Sequence, residues 1–192
     1  MPRKNIIVTG GYGFIGSYLI KELLKDKNVQ VCNIDKLTYS SNNYKNKNKN
    51  KKNYKFYKVD INNQKKLFHI IKKYKPVAIF NLAAETHVDR SIDGPKNFIT
   101  TNILGVFNLL EAIKLLKKIK IKTKLIHVST DEVYGDIKKS ERSDERFRYN
   151  PSSPYSASKA SADHLVNSYI RTYKIDAVIS NCCNNYGPYQ FP

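Results

Sequence analysis

Gly10, Gly13 and Gly16 stand at the spacing G-xx-G-xx-G between a short β-branched run, Asn5-Ile6-Ile7-Val8, and a stretch of helical periodicity carried by Ile15, Leu19 and Leu23. This junction constrains the fold more than any other feature of the chain. A buried strand that turns through glycines straight into a helix is the opening of a parallel βαβ unit. Gly10 permits the tight turn, Gly13 lets the backbone approach a pyrophosphate, and Gly16 lets the helix pack closely on the strand. The free amides at the helix N-terminus then face the phosphates. The glycine spacing alone is a weak signal; its place between strand and helix gives it weight.

The rest of the chain repeats that alternation. Strands are predicted at 29–34, 54–59, 77–80, 124–128 and 176–180, and helices at 14–27, 64–74, 97–118 and 155–173. Parallel neighbours need crossover connections, so the fold class is α/β, a Rossmann-like doubly wound parallel sheet with helices on both faces. Ligands of such sheets sit at the carboxyl ends of the strands. Each polar cluster of interest falls there: Gly10 to Gly16, Asp35, Asp60, Ala84 to Thr86, and Thr130 to Glu132. Residues 36–53 read as a loop whose lysine–asparagine tract is expected to be mobile. No internal repeat and no linker marks a second complete domain.

Asp35 closes the second strand at the distance expected of the residue that binds an adenosine ribose. A carboxylate there favours NAD over NADP, whose 2′-phosphate it repels, although Lys36 beside it leaves NADP open. Tyr155 and Lys159 are four residues apart and share a helix face. A tyrosine titrates near 10 and is a poor base at neutral pH; an ammonium one turn away is expected to favour the phenolate and lower that value. Asp131 and Glu132, next to Thr130 at the end of the fifth strand, put an acid and a base side by side. The plainer alternatives are a solvated Tyr/Lys pair beside a surface turn, and an ordinary turn aspartate at 35.

The net charge of +18 admits nucleic acid or another anionic partner. Much of the excess sits in Lys45 to Lys52, which lacks aromatic interleaving, and lysine, asparagine, isoleucine and tyrosine are abundant together. Their A- and T-rich codons explain the charge without a partner, so nucleic-acid binding is not expected. No apolar run is expected to span a bilayer, and the stretch after Met1-Pro2-Arg3-Lys4 is too short for a signal peptide. Cys32, Cys182 and Cys183 have no disulfide or metal spacing and read as reduced thiols. No metal is expected, and the expected location is cytoplasmic.

Five phrases carry a resemblance: Asp35 to Tyr39, Leu82 to Ile92, Ser129 to Gly135, Pro151 to Ala160, and Asn184 to Tyr189. By these the chain resembles the extended short-chain dehydrogenase/reductase group, the NAD-dependent epimerase/dehydratase family, and more narrowly the dTDP-glucose 4,6-dehydratases of deoxysugar synthesis. The resemblance runs from Asn5 to Pro192, outside the lysine–asparagine insertion and a divergent stretch around 138–148. It implies that Gly10, Gly13, Phe14, Ile15, Gly16, Asp35, Lys36, Leu37, Thr38, Asp60, Ile61, Leu82, Ala83, Ala84, Glu85, Thr86 and Thr101 line an NAD site. Tyr155 and Lys159 would lie against the nicotinamide ribose with Asn185 nearby. Thr86, Thr130 and Asn184 would touch the substrate, and Asp131 and Glu132 would serve as acid and base. The implied reaction is oxidation at C4 of a nucleotide sugar, loss of water across C5 and C6, and re-reduction with NAD recycled.

A sugar-nucleotide 4-epimerase needs the same Tyr/Lys pair but has no use for the Asp131-Glu132 pair. Dehydratases of UDP-glucose or GDP-mannose keep similar carboxylates, and a non-catalytic NAD-binding remnant is the alternative of another class. The resemblance further implies that residues 1–192 are the NAD-binding domain, that a substrate domain lies beyond 192, and that the core sheet can lack its last strand. It also implies a homodimer built on the helix after Asn97 and the helix of Tyr155.

Overall fold

The computed structural model describes residues 3–41, 48, 50–138, 140–188 and 190. Most of the lysine–asparagine tract lies outside them. Among the described residues, six parallel strands form one sheet in the order β3-β2-β1-β4-β5-β6. They are β1 (Lys4–Thr9), β2 (Val29–Asp35), β3 (Tyr54–Lys58), β4 (Ala78–Asn81), β5 (Lys124–Thr130) and β6 (Asp176–Cys182). Sequence order reverses between β1 and β4, so the chain is doubly wound, as its alternation of elements predicts, and a crevice opens beyond those two strands.

The pleat sorts the strand residues to two faces. Ile7, Cys32, Ile34, Ile79 and Leu125 point to one face, where they pack against α2 (Gln64–Tyr74), α5 (Gly105–Lys118) and α6 (Pro154–Tyr173) through Leu67, Ile71, Leu109, Leu110, Leu116 and Val166. Ile6, Val8 and Val31 point to the other and meet α1 (Phe14–Leu23) through Ile20. Helices therefore lie on both faces, but α1 covers only part of its side. Over β5 and β6 that face is open, and Val178 is 42% exposed.

The helix expected at 97–118 is interrupted. Lys96–Phe98 (α4) runs into a π-helical turn at Ile99–Leu104 before α5 begins at Gly105. The wider turn brings Thr101 and Asn102 inward, 4% and 1% exposed. Gly105 then lies against the Ile61 side chain, where an added Cβ would collide with Ile61 Cδ1. The whole stretch Lys96–Lys118 is long and apolar enough to cross a membrane by length and composition, contrary to the sequence expectation. Its residues Val106, Leu109, Ile113 and Leu116 are buried against the sheet, as in the core helix of a globular domain.

A short helix that periodicity did not predict, α3 (Val88–Asp93), lies between β4 and α4. Ser91, fully buried, holds it against α6: its Oγ accepts the amide of Tyr155 at 3.1 Å. The first turn of α6 is closed by a capping box, with Ser153 and Ser156 bonding each other's amides and Pro154 at the first helical position.

Candidate active site

Two adjoining clefts open at the carboxyl ends of the strands and share Gly10, Gly13, Ser40, Leu82 and Ala84. The smaller, about 70 Å³, is lined by Asp35, Lys36, Thr38, Asp60, Ile61, Ala83 and Thr101. The larger, about 360 Å³, runs past Phe14, Ile15, Gly16 and Thr86 to Thr130, Glu132, Tyr155, Lys159, Asn184 and Asn185. The structure thus gathers most of the sequence-derived site residues into one continuous crevice. Leu37, Glu85 and Asp131 stand beside it, outside the lining. Ser40, Cys182, Cys183 and Gln190 line the larger cleft, although the sequence gave no reason to single them out as site residues.

The glycine loop fits a dinucleotide on its own geometry. Gly10 has φ +70°, and a Cβ there would meet Ala83 N at 2.6 Å. A Cβ on Gly16 would collide with the Gly10 carbonyl oxygen and meet Gly11 Cα at 2.8 Å. The backbone of the loop is therefore bare where a phosphate would rest on the start of α1. We expect Gly16→Ala to push α1 off the loop, costing about 1–3 kcal/mol of stability. A fall in melting temperature together with weaker dinucleotide binding would check this.

Asp35 is prepared as a ribose acceptor. Its Oδ2 accepts the Tyr12 amide at 2.9 Å and its Oδ1 accepts the Leu37 amide at 2.8 Å, which leaves a lone pair on each oxygen for hydroxyl donors. Burial raises its pKa and those two amides oppose the rise. Leu37 supports this turn with a left-handed φ of 61°. Lys36, the residue that left NADP open, is committed elsewhere: its Nζ lies 3.0 Å from Glu85 Oε1, 3.2 Å from Thr101 Oγ1 and 4.0 Å from Asp60 Oδ2. Glu85 is itself fixed, because Asn102 accepts its amide at 2.9 Å and donates to its carbonyl at 3.0 Å. Asn102, brought in by the π-helical turn, escaped the sequence reading because an asparagine inside a helix carries no motif.

At the other end, Thr130 caps the 3₁₀ turn Asp131–Tyr134 by accepting the Glu132 amide at 3.2 Å. Its hydroxyl also donates to Asp131 Oδ1 at 3.4 Å. Glu132 is raised above the ordinary glutamate value, first by burial and then by the charge of Asp131. The neighbouring Asp131 raises the Cys183 thiol.

The relation between Tyr155 and Lys159 differs from the sequence expectation. Burial pushes the Tyr155 phenol up to about 12; the Thr130 bond opposes this, and Glu132, Asp131 and Asp163 add to it. Lys159 Nζ donates to the Val128 carbonyl at 2.7 Å. Burial in turn lowers Lys159 from 10.5 to about 8. The sign of the linked stability follows: between about 8 and 10.5 the unfolded chain binds this proton and the folded chain does not, so stability rises with pH there. We expect the stability of the wild-type chain to improve relative to Lys159→Met as pH rises through that window, measured by denaturant unfolding.

A family model described as GDP-mannose 4,6 dehydratase matches residues 7–192. The chain belongs to that family. Among its relatives, a dTDP-glucose 4,6-dehydratase of Neisseria gonorrhoeae is 45% identical over 99% of this chain and 57% of the relative. A dTDP-glucose 4,6-dehydratase of Bacillus anthracis, solved in complex with NAD, superposes with a TM-score of 0.86 at 43% identity, covering 98% of this chain and 57% of that one. DesIV of Streptomyces venezuelae, a dTDP-glucose 4,6-dehydratase solved with NAD and TYD bound, gives a TM-score of 0.89 at 38% identity, covering 98% and 58%. The chain thus spans a little over half the length of these family members.

Proposed function

We propose that this chain carries the cofactor and catalytic half of an NAD-dependent 4,6-dehydratase, a lyase that converts dTDP-glucose to dTDP-4-keto-6-deoxyglucose. The observation that carries this reading is the placement of Thr130, Asp131 and Glu132 beside Tyr155 at the mouth of a dinucleotide crevice. Phe14, Ile15, Gly10, Gly13 and Gly16 would hold the pyrophosphate side of NAD, Asp35 its adenosine ribose, and Lys159 with Tyr155 its nicotinamide ribose. NAD, when bound, supplies a reversible two-electron oxidation and leaves the cycle unchanged.

The residues of this chain manage the protons. Tyr155, once ionised to the phenolate, takes the proton of the sugar 4-hydroxyl while Thr130 holds the 4-oxygen. The resulting 4-ketone acidifies the C5 proton, and Glu132 removes it. Its raised pKa suits a base, since a carboxylate that binds its proton more tightly abstracts one more readily. Asp131 gives a proton to the departing 6-hydroxyl. Thr86 and Asn184 line the larger cleft on the substrate side, with Asn185 beside them.

A 4-epimerase would not need the two carboxylates after Thr130, which is why the dehydratase is preferred. Recognition of the nucleotide base is assigned to a substrate domain that residues 1–192 do not include. A homodimer and a cytoplasmic location belong to the same reading. Ile99, Leu104 and Phe107, 51%, 51% and 37% exposed along the π turn and α5, supply an apolar face for a second copy. The reading is tested by offering dTDP-glucose, UDP-glucose and GDP-mannose to the native protein. Turnover of dTDP-glucose in preference to the other two supports it, and preference for either of the others contradicts it.

A further inference from the structure

Beneath the reactive turn lies a buried polar chain that the proposed mechanism does not use. Thr9 Oγ1 donates to Asn81 Oδ1 at 2.6 Å, and Asn81 Nδ2 meets His127 Nδ1 at 3.0 Å. With the amide donating there, His127 Nδ1 is an acceptor and the ring proton sits on Nε2. Nε2 lies 3.3 Å from Asp163 Oδ1, and among the described residues neither atom has a hydrogen-bond partner. Asp163 Oδ2 accepts from Ser129 Oγ at 2.7 Å, from Tyr149 OH at 3.1 Å and from Asn181 Nδ2 at 3.4 Å. His127 and Asp163 are both 0% exposed. The carboxyl thus joins β5, β6 and α6 directly under Thr130, whose own carbonyl accepts Asn181 Nδ2 at 3.3 Å.

A fully buried carboxyl with this many donors needs a reason beyond packing, because an apolar residue of similar size would fill the space at less desolvation cost. Lys159 supplies the reason. It lies one helical turn before Asp163 on α6 and is itself only 4% exposed. We infer that Asp163 is a positioning residue for the Tyr155–Lys159 pair, the buried counter-charge that keeps the Lys159 ammonium in place and ties the strand carrying Thr130 to the catalytic helix. This rests on the proposed function for the roles of Tyr155 and Lys159, but not for the charge pairing itself.

The groups facing Lys159 come from every element around it. Asp163 and Tyr155 share its helix, His127 lies on β5, Cys182 on β6, and Glu132 follows β5. Burial lowers His127, so the ring contributes no positive charge near neutral pH. Asp163 is the first source of support for the Lys159 charge against burial, and Cys182 the second.

The test is a side-chain NMR titration of the full chain without cofactor, so that it reads no dehydration and cannot fail merely because the substrate assignment is wrong. Lys159 is followed through its Nζ and Cε signals, assigned by their loss in Lys159→Arg. In the wild type the Asp163 Cγ shift is expected to be that of a carboxylate at pH 7. In Asp163→Asn the Lys159 midpoint is expected to fall by about one pH unit or more. Ser129→Ala removes one hydrogen bond but no charge, so it should leave that midpoint nearly unmoved. A neutral Asp163 carboxyl at pH 7 overturns the inference, and so does an unmoved Lys159 midpoint in a folded Asp163→Asn chain. If Asp163→Asn does not fold, the wild-type carboxyl signal decides alone.

Discussion

Tyr155→Phe is expected to lower turnover of dTDP-glucose by about 10²–10⁴-fold, the usual contribution of a positioned general base. The ring remains against Phe98, with centroids 6.3 Å apart, and the backbone amide keeps its bond to Ser91. Only the phenolic oxygen is lost. The loss should appear in kcat with little change in KM, since the oxygen acts on the proton moved during oxidation and not on ground-state binding. Single-turnover measurement of cofactor reduction checks it. A variant that reduces NAD at the wild-type rate removes Tyr155 from its assigned role.

The second large effect separates the two halves of the reaction. Asp131→Asn retains a similar shape beside Thr130 but cannot supply the acidic proton for the departing 6-hydroxyl. C4 oxidation should proceed and loss of water should slow by about 10²–10⁴-fold, so reduced cofactor accumulates after mixing with dTDP-glucose. Dehydration at the wild-type rate would show that Asp131 is not the acid.

Much of this arrangement was legible in the chain because local chemistry and overall fold agree there. The glycine spacing fixed the entry to α1, and the alternation of strands and helices fixed the sheet. For α2 the predicted bounds 64–74 match the observed helix. Asn63 caps its start by accepting the Lys66 amide, and Lys75 ends it in a left-handed conformation just before Pro76. What escaped did so for physical reasons. Residues 88–93 are too few and too charged to show a period, so α3 and its Ser91 tether were invisible. The π turn inserts Thr101 and Asn102 into the core although no proline or glycine lies within it. His127 sits in an apolar strand and Asp163 on a mixed helix, and only the fold brings them 3.3 Å apart.

The Tyr155–Lys159 pair shows the limit of spacing as an argument. Four residues placed both groups on α6, as expected, but burial and a nearby carbonyl decided where the ammonium went. A tyrosine surrounded by Glu132, Asp131 and Asp163 is held in its phenol form in this structure. Lowering it is a matter of what enters the cleft beside it, which sequence spacing cannot report.

Incubation of the native protein with dTDP-glucose carrying deuterium at C4, followed by NMR of the product, tests the central claim most directly. The proposed dehydratase places that deuterium on C6 of a 4-keto-6-deoxy sugar. Unchanged substrate, or a 4-epimer with its deuterium still at C4, would contradict it.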